Sequence, residues 1–219
     1  MKKVILLVGA FLLYMLPAVA QDVPKAEVHI DYQYIRFAPA LSGNKNVSFN
    51  GGGGAVLLNV NKFLGFKAEF TGSETGDTGL CSSTGLNCIT RSANFFNYLF
   101  GPQVNFRNHT RATPFVNLLF GGSHSNLWGN VQAPGTVPVG GTTSGEVGRN
   151  AFALAFGGGL DVKVAEHIAI RVGEFDYFMT RYSGREVIQQ GTGAIGTLQI
   201  SNQSSFRYLA GINFLIGKK

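Results

Sequence analysis

The chain has 219 residues and a formal net charge of +6, and only 14% of its residues are charged, against roughly 25% in soluble globular proteins. Its 30 glycines argue against a helical bundle, since each costs about 1 kcal/mol inside a helix, and its 45% hydrophobic content argues against disorder. Only residues 1–20 approach the roughly 20 consecutive apolar residues of a membrane-spanning helix, which argues against a multi-helix membrane protein.

Those first residues read as a secretory leader. Lys2 and Lys3 form the positive start, residues 4–16 the apolar stretch, and Pro17 breaks it before the small-residue site Ala18-Val19-Ala20. Cleavage between Ala20 and Gln21 removes 20 of 219 residues and leaves a single domain, 21–219. Losing Lys2 and Lys3 lowers the basic count from 18 to 16 against 12 acids, a net charge of +4. That surplus is too small and too scattered for nucleic-acid binding.

From residue 27 onward the pattern has a period of two, the mark of strands whose faces meet different surroundings. The first strand sets Val28, Ile30, Tyr32 and Tyr34 against Glu27, His29, Asp31 and Gln33. A polar connection, 37–50, leads to Gly51-Gly52-Gly53-Gly54. No GK[ST] or helix follows, so this is no phosphate loop; it eases curvature at a strand start. The second strand opposes Val56, Leu58 and Val60 to Ala55, Leu57, Asn59 and Asn61, and the third opposes Phe66, Ala68 and Phe70 to Lys67, Glu69 and Thr71. The stretch 72–92 reads as a long polar loop. It holds Cys81 and Cys88, an even count in an exported protein, and so one disulfide.

The fourth strand carries Phe96, Tyr98, Phe100, Val104 and Phe106 opposite Asn97, Gly101, Gln103, Asn105 and Arg107. Pro102 cannot donate to a ladder and predicts a local irregularity. The fifth opposes Val116, Leu118 and Phe120 to Phe115, Asn117, Leu119 and Gly121. The sixth, 151–164, is the clearest, with Phe152, Leu154, Phe156, Leu160, Val162 and Val164 opposite Ala151, Ala153, Ala155, Gly157, Gly159, Asp161 and Lys163. In the seventh, Ile168, Ile170 and Val172 share a face with Phe175 and Tyr177, opposite Arg171, Glu174 and Asp176. The parity switches at Val172-Gly173, as a β-bulge would make it. The eighth opposes Phe206, Tyr208, Ala210, Ile212, Phe214 and Ile216 to Arg207, Gly211 and Asn213.

Connections alternate between short (61–65, 108–113, 165–167) and long (37–50, 72–92, 124–150, 180–204). That segregation predicts an all-β, eight-stranded antiparallel up-and-down barrel with both chain ends on the short-turn side. A soluble barrel would keep its apolar face inside; a membrane barrel inverts it. Here the second face is rich in Gly and Ala, as a narrow lumen requires, and the bulky face is rich in aromatics, as membrane girdles are. The reading is therefore a transmembrane barrel. Eleven charges then fall in the lumen: the acids Glu27, Asp31, Glu69, Asp161, Glu174 and Asp176, and the bases Lys67, Arg107, Lys163, Arg171 and Arg207. Buried charges persist only when paired, so a salt-bridge network is expected. The small side chains 151–159 leave room for a water-filled pocket near the long-loop end.

These segments resemble the small outer-membrane β-barrel proteins, the porin-like family with an OmpA-type transmembrane barrel. The likeness rests on 27–37 (EVHIDYQYIRF), 59–70 (NVNKFLGFKAEF), 98–107 (YLFGPQVNFR), 113–122 (TPFVNLLFGG), 152–163 (FALAFGGGLDVK), 167–171 (HIAIR) and 206–217 (FRYLAGINFLIG). It implies outer-membrane location, lipid as the surrounding partner and the barrel-assembly machinery during biogenesis. The peptidoglycan-binding domain of OmpA proteins has no counterpart in 21–219, and Phe214 is followed by Leu215-Ile216-Gly217-Lys218-Lys219 where many such barrels end on an aromatic residue.

Some outer-membrane barrels are enzymes that work at the outer rim. The rim candidate here is Ser123-His124-Ser125, and no acid is placed to orient the histidine, so it reads as the start of a polar loop. His29, His109 and His167 suggest no metal site, and no cofactor is expected. The expected function is a monomeric structural or surface-interaction barrel whose loops meet an unspecified ligand, with a lumen plugged by charge. The alternatives are a narrow porin or passive transporter and, more distantly, a lipid-modifying enzyme.

Overall fold

Period-two alternation becomes strand along nearly the whole chain. The computed structural model describes residues 23–38, 47–81, 88–108, 110–125, 136–138, 149–182, 185–189, 195–198 and 202–218. The leader with its Ala20/Gln21 junction, and His109, lie outside the described residues. In chain order the strands are β1 (Pro24–Ala38), β2 (Val47–Asn59), β3 (Leu64–Cys81), β4 (Cys88–Asn105), β5 (Ala112–Ser125), β6 (Thr136–Pro138), β7 (Arg149–Ala165), β8 (Ile168–Tyr182), β9 (Arg185–Gln189), β10 (Ile195–Leu198) and β11 (Gln203–Lys218). Eight of them close a barrel in the order β1-β11-β8-β7-β5-β4-β3-β2, every pair antiparallel. All eight strands read from the alternation are present, and Pro24 pairs with Lys218, so both ends of the barrel wall meet on the short-turn side.

The faces are inverted relative to a water-soluble barrel. Ile30, Phe66, Phe70, Phe156 and Phe175 point outward and are more than half exposed, while Gln33, Gln103, Asn117 and Arg207 are buried inside. Near the long-connection end, outward tyrosines turn their hydroxyls to polar partners: Tyr32 donates to Asn50 at 2.6 Å, and Tyr34 and Tyr177 meet Ser48 and Ser204 at 2.9 and 2.6 Å. A ring in an apolar layer with its hydroxyl in a polar one is how tyrosine sits at a membrane boundary.

Two local expectations hold. The β7–β8 register slips between Leu160 and Asp161, and the β8–β11 register slips between Leu209 and Gly211. Both step over Val172, which is the bulge that restores Glu174 and Asp176 to the inside. At Pro102 the β4–β5 pairing skips Gly101 and Pro102, while the β3 side stays continuous. Two expectations are corrected. Strand covers 72–81 and 88–92 where the sequence predicts a loop: β3 runs on to Cys81 and β4 starts at Cys88, with Cys81 opposite Cys88 in the register. At 18 residues each, these strands outrun the roughly 9–11 a membrane requires. The connections 124–150 and 180–204 contribute β6, β9 and β10, a small separate sheet in the order β10-β9-β6.

Candidate functional site

The lumen gathers charged side chains from several strands. β3 and β8 stand four places apart in the ring of eight, diametrically opposed. Inward positions on β3 place Lys67 and Glu69, those on β8 place Arg171, Glu174 and Asp176, and β11 adds Arg207. Lys67 crosses the lumen to Glu174, with Nζ 2.9 and 3.0 Å from its two carboxylate oxygens, and lies 2.7 Å from Glu69 on its own strand. Arg171 donates its Nε and Nη2 to the two oxygens of Asp161 at 2.9 and 3.1 Å, and its Nη1 to Glu174. Arg207 donates Nε and Nη2 to Asp176 Oδ2 at 2.9 and 2.6 Å, and Nη1 to Glu69.

The result is one alternating chain, Asp161–Arg171–Glu174–Lys67–Glu69–Arg207–Asp176. Lys67, Glu69, Arg171, Glu174, Asp176 and Arg207 are each 2% exposed or less, so water screens none of these contacts. Burying such an ion costs several kcal/mol unless partners return it, and each of the three cations here contacts at least two carboxylates. Asn117 adds a donor to Glu174, and the guanidinium groups of Arg171 and Arg207 lie over the rings of Phe115 and Phe178 at 4.4 and 5.5 Å. Asp31 stands at the margin, 4.0 Å from Arg171.

Two glycines seat the outlying carboxylates. A Cβ at Gly157 would lie 2.1 Å from Asp176 Oδ1, and one at Gly211 would lie 2.5 Å from Asp31 Oδ1. The small residues on the inward face of β7 and β11 are therefore partly seats for acids on neighbouring strands. His29 is buried between Ala55 and Asn213 in the register and makes no hydrogen bond among the described residues.

Toward the short-turn end a second, smaller cluster forms. Arg107 bonds Glu27, the Asn59 oxygen at 3.1 Å and the Lys62 carbonyl at 3.0 Å; Asn59 and Asn213 complete the Glu27 carboxylate at 2.8 and 2.6 Å. Lys163 does not join either network. It keeps inward parity but stands two residues from the end of β7, exposed at the open rim where water already solvates its charge.

Toward the long-connection end charge gives way to apolar side chains set among small polar ones such as Thr71, Ser73, Ser123 and Thr180. Ile35, Phe49, Phe95, Leu99, Leu119, Phe178 and Leu209 are fully buried there, and Phe49 and Phe95 pack edge to face at 5.1 Å. This layer corrects the expected water-filled pocket. Ala155 is flanked in the register by Leu119 and Phe178, which take the space that its small side chain leaves. Residues such as Phe49, Phe95 and Phe178 lie beyond the stretches where alternation is clear. Extending the parity of each strand by a few residues would have found them.

The rim triplet is split by the strand itself. Ser123 and Ser125 face the buried side, whereas His124 faces out and bonds Asn150 at 2.8 Å. Its imidazole therefore cannot activate either serine. Cys81 and Cys88 are opposite in the backbone register, and their side chains lie outside the described residues.

No family model matches the chain, and no curated protein matches it. Solved structures do. Neisserial surface protein A aligns at 13% identity over 88% of this chain and 97% of its own, with a TM-score of 0.51. OprG, an outer membrane protein from Pseudomonas aeruginosa, aligns at 10% identity over 89% and 97%, with a TM-score of 0.49. Ail, the attachment invasion locus protein of Yersinia pestis, aligns at 15% identity over 88% and 99%, with a TM-score of 0.47. The likeness to the Neisserial protein is one of fold: this chain is a closed eight-stranded antiparallel up-and-down β-barrel of the same kind.

Proposed function

We propose that the protein is an integral outer-membrane barrel with a structural or surface-interaction role, exported by its cleaved leader, monomeric, and closed to solutes. The observation that carries this reading is the pairing of an outward apolar band with an ion-paired chain spanning the full diameter of the lumen. An apolar exterior needs lipid around it. An interior of eight strands is just wide enough to be filled by side chains, and here charge-paired residues fill its centre while large apolar and small uncharged polar ones fill its outer half. The surface-interaction role falls to the long-connection end, with its β3–β4 ribbon and small sheet. We place a disulfide between Cys81 and Cys88 at the ribbon tip. Thiol titration of the unreduced, denatured protein should then detect no free thiol.

Purified protein in planar bilayers tests the closed lumen. No reproducible conductance steps are expected. Steady openings whose ion selectivity shifts on Glu69→Gln or Arg207→Gln would replace this reading with that of a narrow pore.

A further inference from the structure

At the short-turn mouth the barrel opens into a cavity of about 280 Å³, lined in part by Arg107, Arg111, Lys163, Asn108, Thr110 and Thr113. The acids of this wall are already committed: both Asp161 oxygens are taken by Arg171, and those of Glu27 by Arg107, Asn59 and Asn213. Arg111 and Lys163 are not. Neither side chain makes a hydrogen bond or an ion pair among the described residues, and the Lys163 amide donates to the Arg111 carbonyl at 2.8 Å, which sets the two residues side by side. Arg111 stands one residue before β5, and like charges set opposite one another at a ladder's end with no acid between them are destabilising. Asn108 is oriented too: its oxygen accepts from the Thr110 amide at 2.9 Å and from the Thr110 hydroxyl, which leaves its NH₂ as a spare donor.

We propose that this mouth binds an oxyanion, a carboxylate or phosphate group carried by a small polar molecule, between Arg111 and Lys163. The anion converts their repulsion into charge-assisted hydrogen bonds, with the guanidinium fork suited to two oxygens at once. The amide of Asn108 and the hydroxyl of Thr113 offer neutral contacts to the rest of the ligand. The site rests on the mouth geometry alone and does not depend on whether the lumen conducts.

The test is calorimetric titration of the full barrel in uncharged detergent, at constant ionic strength balanced with chloride, using inorganic phosphate and citrate as separate probes. At least one should bind saturably, and which one does identifies the source of the oxyanion. Arg111→Gln with Lys163→Gln should weaken it by about tenfold or more, and Arg36→Gln, on the exposed face at the opposite end, should leave it unchanged. Lys163→Gln alone should raise the stability of the ligand-free barrel while lowering affinity, a pairing of signs that a merely structural lysine would not give. Absence of saturable binding by either probe, or wild-type affinity in the double variant, overturns the site.

Discussion

The centre of the lumen and its short-turn mouth use the same residue types to opposite ends. In the centre, Lys67, Arg171 and Arg207 each contact at least two carboxylates and are shut away from water. At the mouth, Arg111 and Lys163 are exposed, adjacent to one another and paired with no acid among the described residues. The contrast separates charge that builds the barrel from charge that is available to a ligand. A buried cation with every neighbour committed is expensive to remove and offers nothing to a newcomer. A rim cation beside another is inexpensive to remove and has its donors free.

The largest expected effect comes from breaking the centre. Arg207→Met strands Asp176 as a buried, uncompensated carboxylate and leaves Glu69 with Lys67 alone, and should cost about 3–5 kcal/mol, read by urea unfolding in lipid vesicles. Adding Glu69→Gln and Asp176→Asn removes the stranded charge and should restore most of that loss. If the triple variant is no better than the single one, the charge pairing is not what the arginine supplies.

A smaller effect tests the carboxylate seats. Gly157→Ala and Gly211→Ala each push a methyl against both a carboxylate oxygen and a neighbouring strand's carbonyl, at 2.1 Å from the Phe175 and Ile30 oxygens. Overpacking of this kind should cost about 1–3 kcal/mol in the same unfolding measurement. Gly157→Ala should cost less in an Asp176→Ala background, which removes the contacting side-chain atom, if the side chain and not the carbonyl sets the clash. An unchanged cost there assigns the glycine to close strand approach instead.

The smallest effect belongs to the mouth. Arg111→Gln or Lys163→Gln should change stability by no more than about 0.5 kcal/mol, in the stabilising direction, and the gain should fade as salt screens the repulsion. A loss comparable to that of Arg207→Met would place these residues in the structural network and erase the distinction between the two regions.

Alternation carried the barrel because each wall strand separates two surroundings, apolar outside and polar or small inside. Even the bulge at Val172 is visible, since a parity switch is the sequence image of one extra residue. The same logic explains the failures. Along 72–92 Gly, Ser and Thr replace the alternating apolar residues, so the period vanishes from the sequence while the ladder continues to Cys81 and Cys88. The membership of the lumen network was legible from parity, except for Lys163 at the rim. Its connections were not. That Lys67 meets Glu174, 107 residues away, follows from barrel closure and strand order, which set β3 across from β8. Nor does local sequence show that Arg111 and Lys163 become neighbours, because that depends on the β5–β7 register.

Hydrogen exchange of the arginine Nε–H groups, followed by NMR on the barrel in lipid nanodiscs after transfer to D₂O, compares the two regions in one spectrum. The Arg171 and Arg207 signals should persist long after that of Arg111 has exchanged, because their Nε–H groups are held by Asp161 and Asp176 in a lumen without bulk water. Loss of the Arg207 signal as fast as that of Arg111 would mean a wet, open lumen and would contradict the closed barrel.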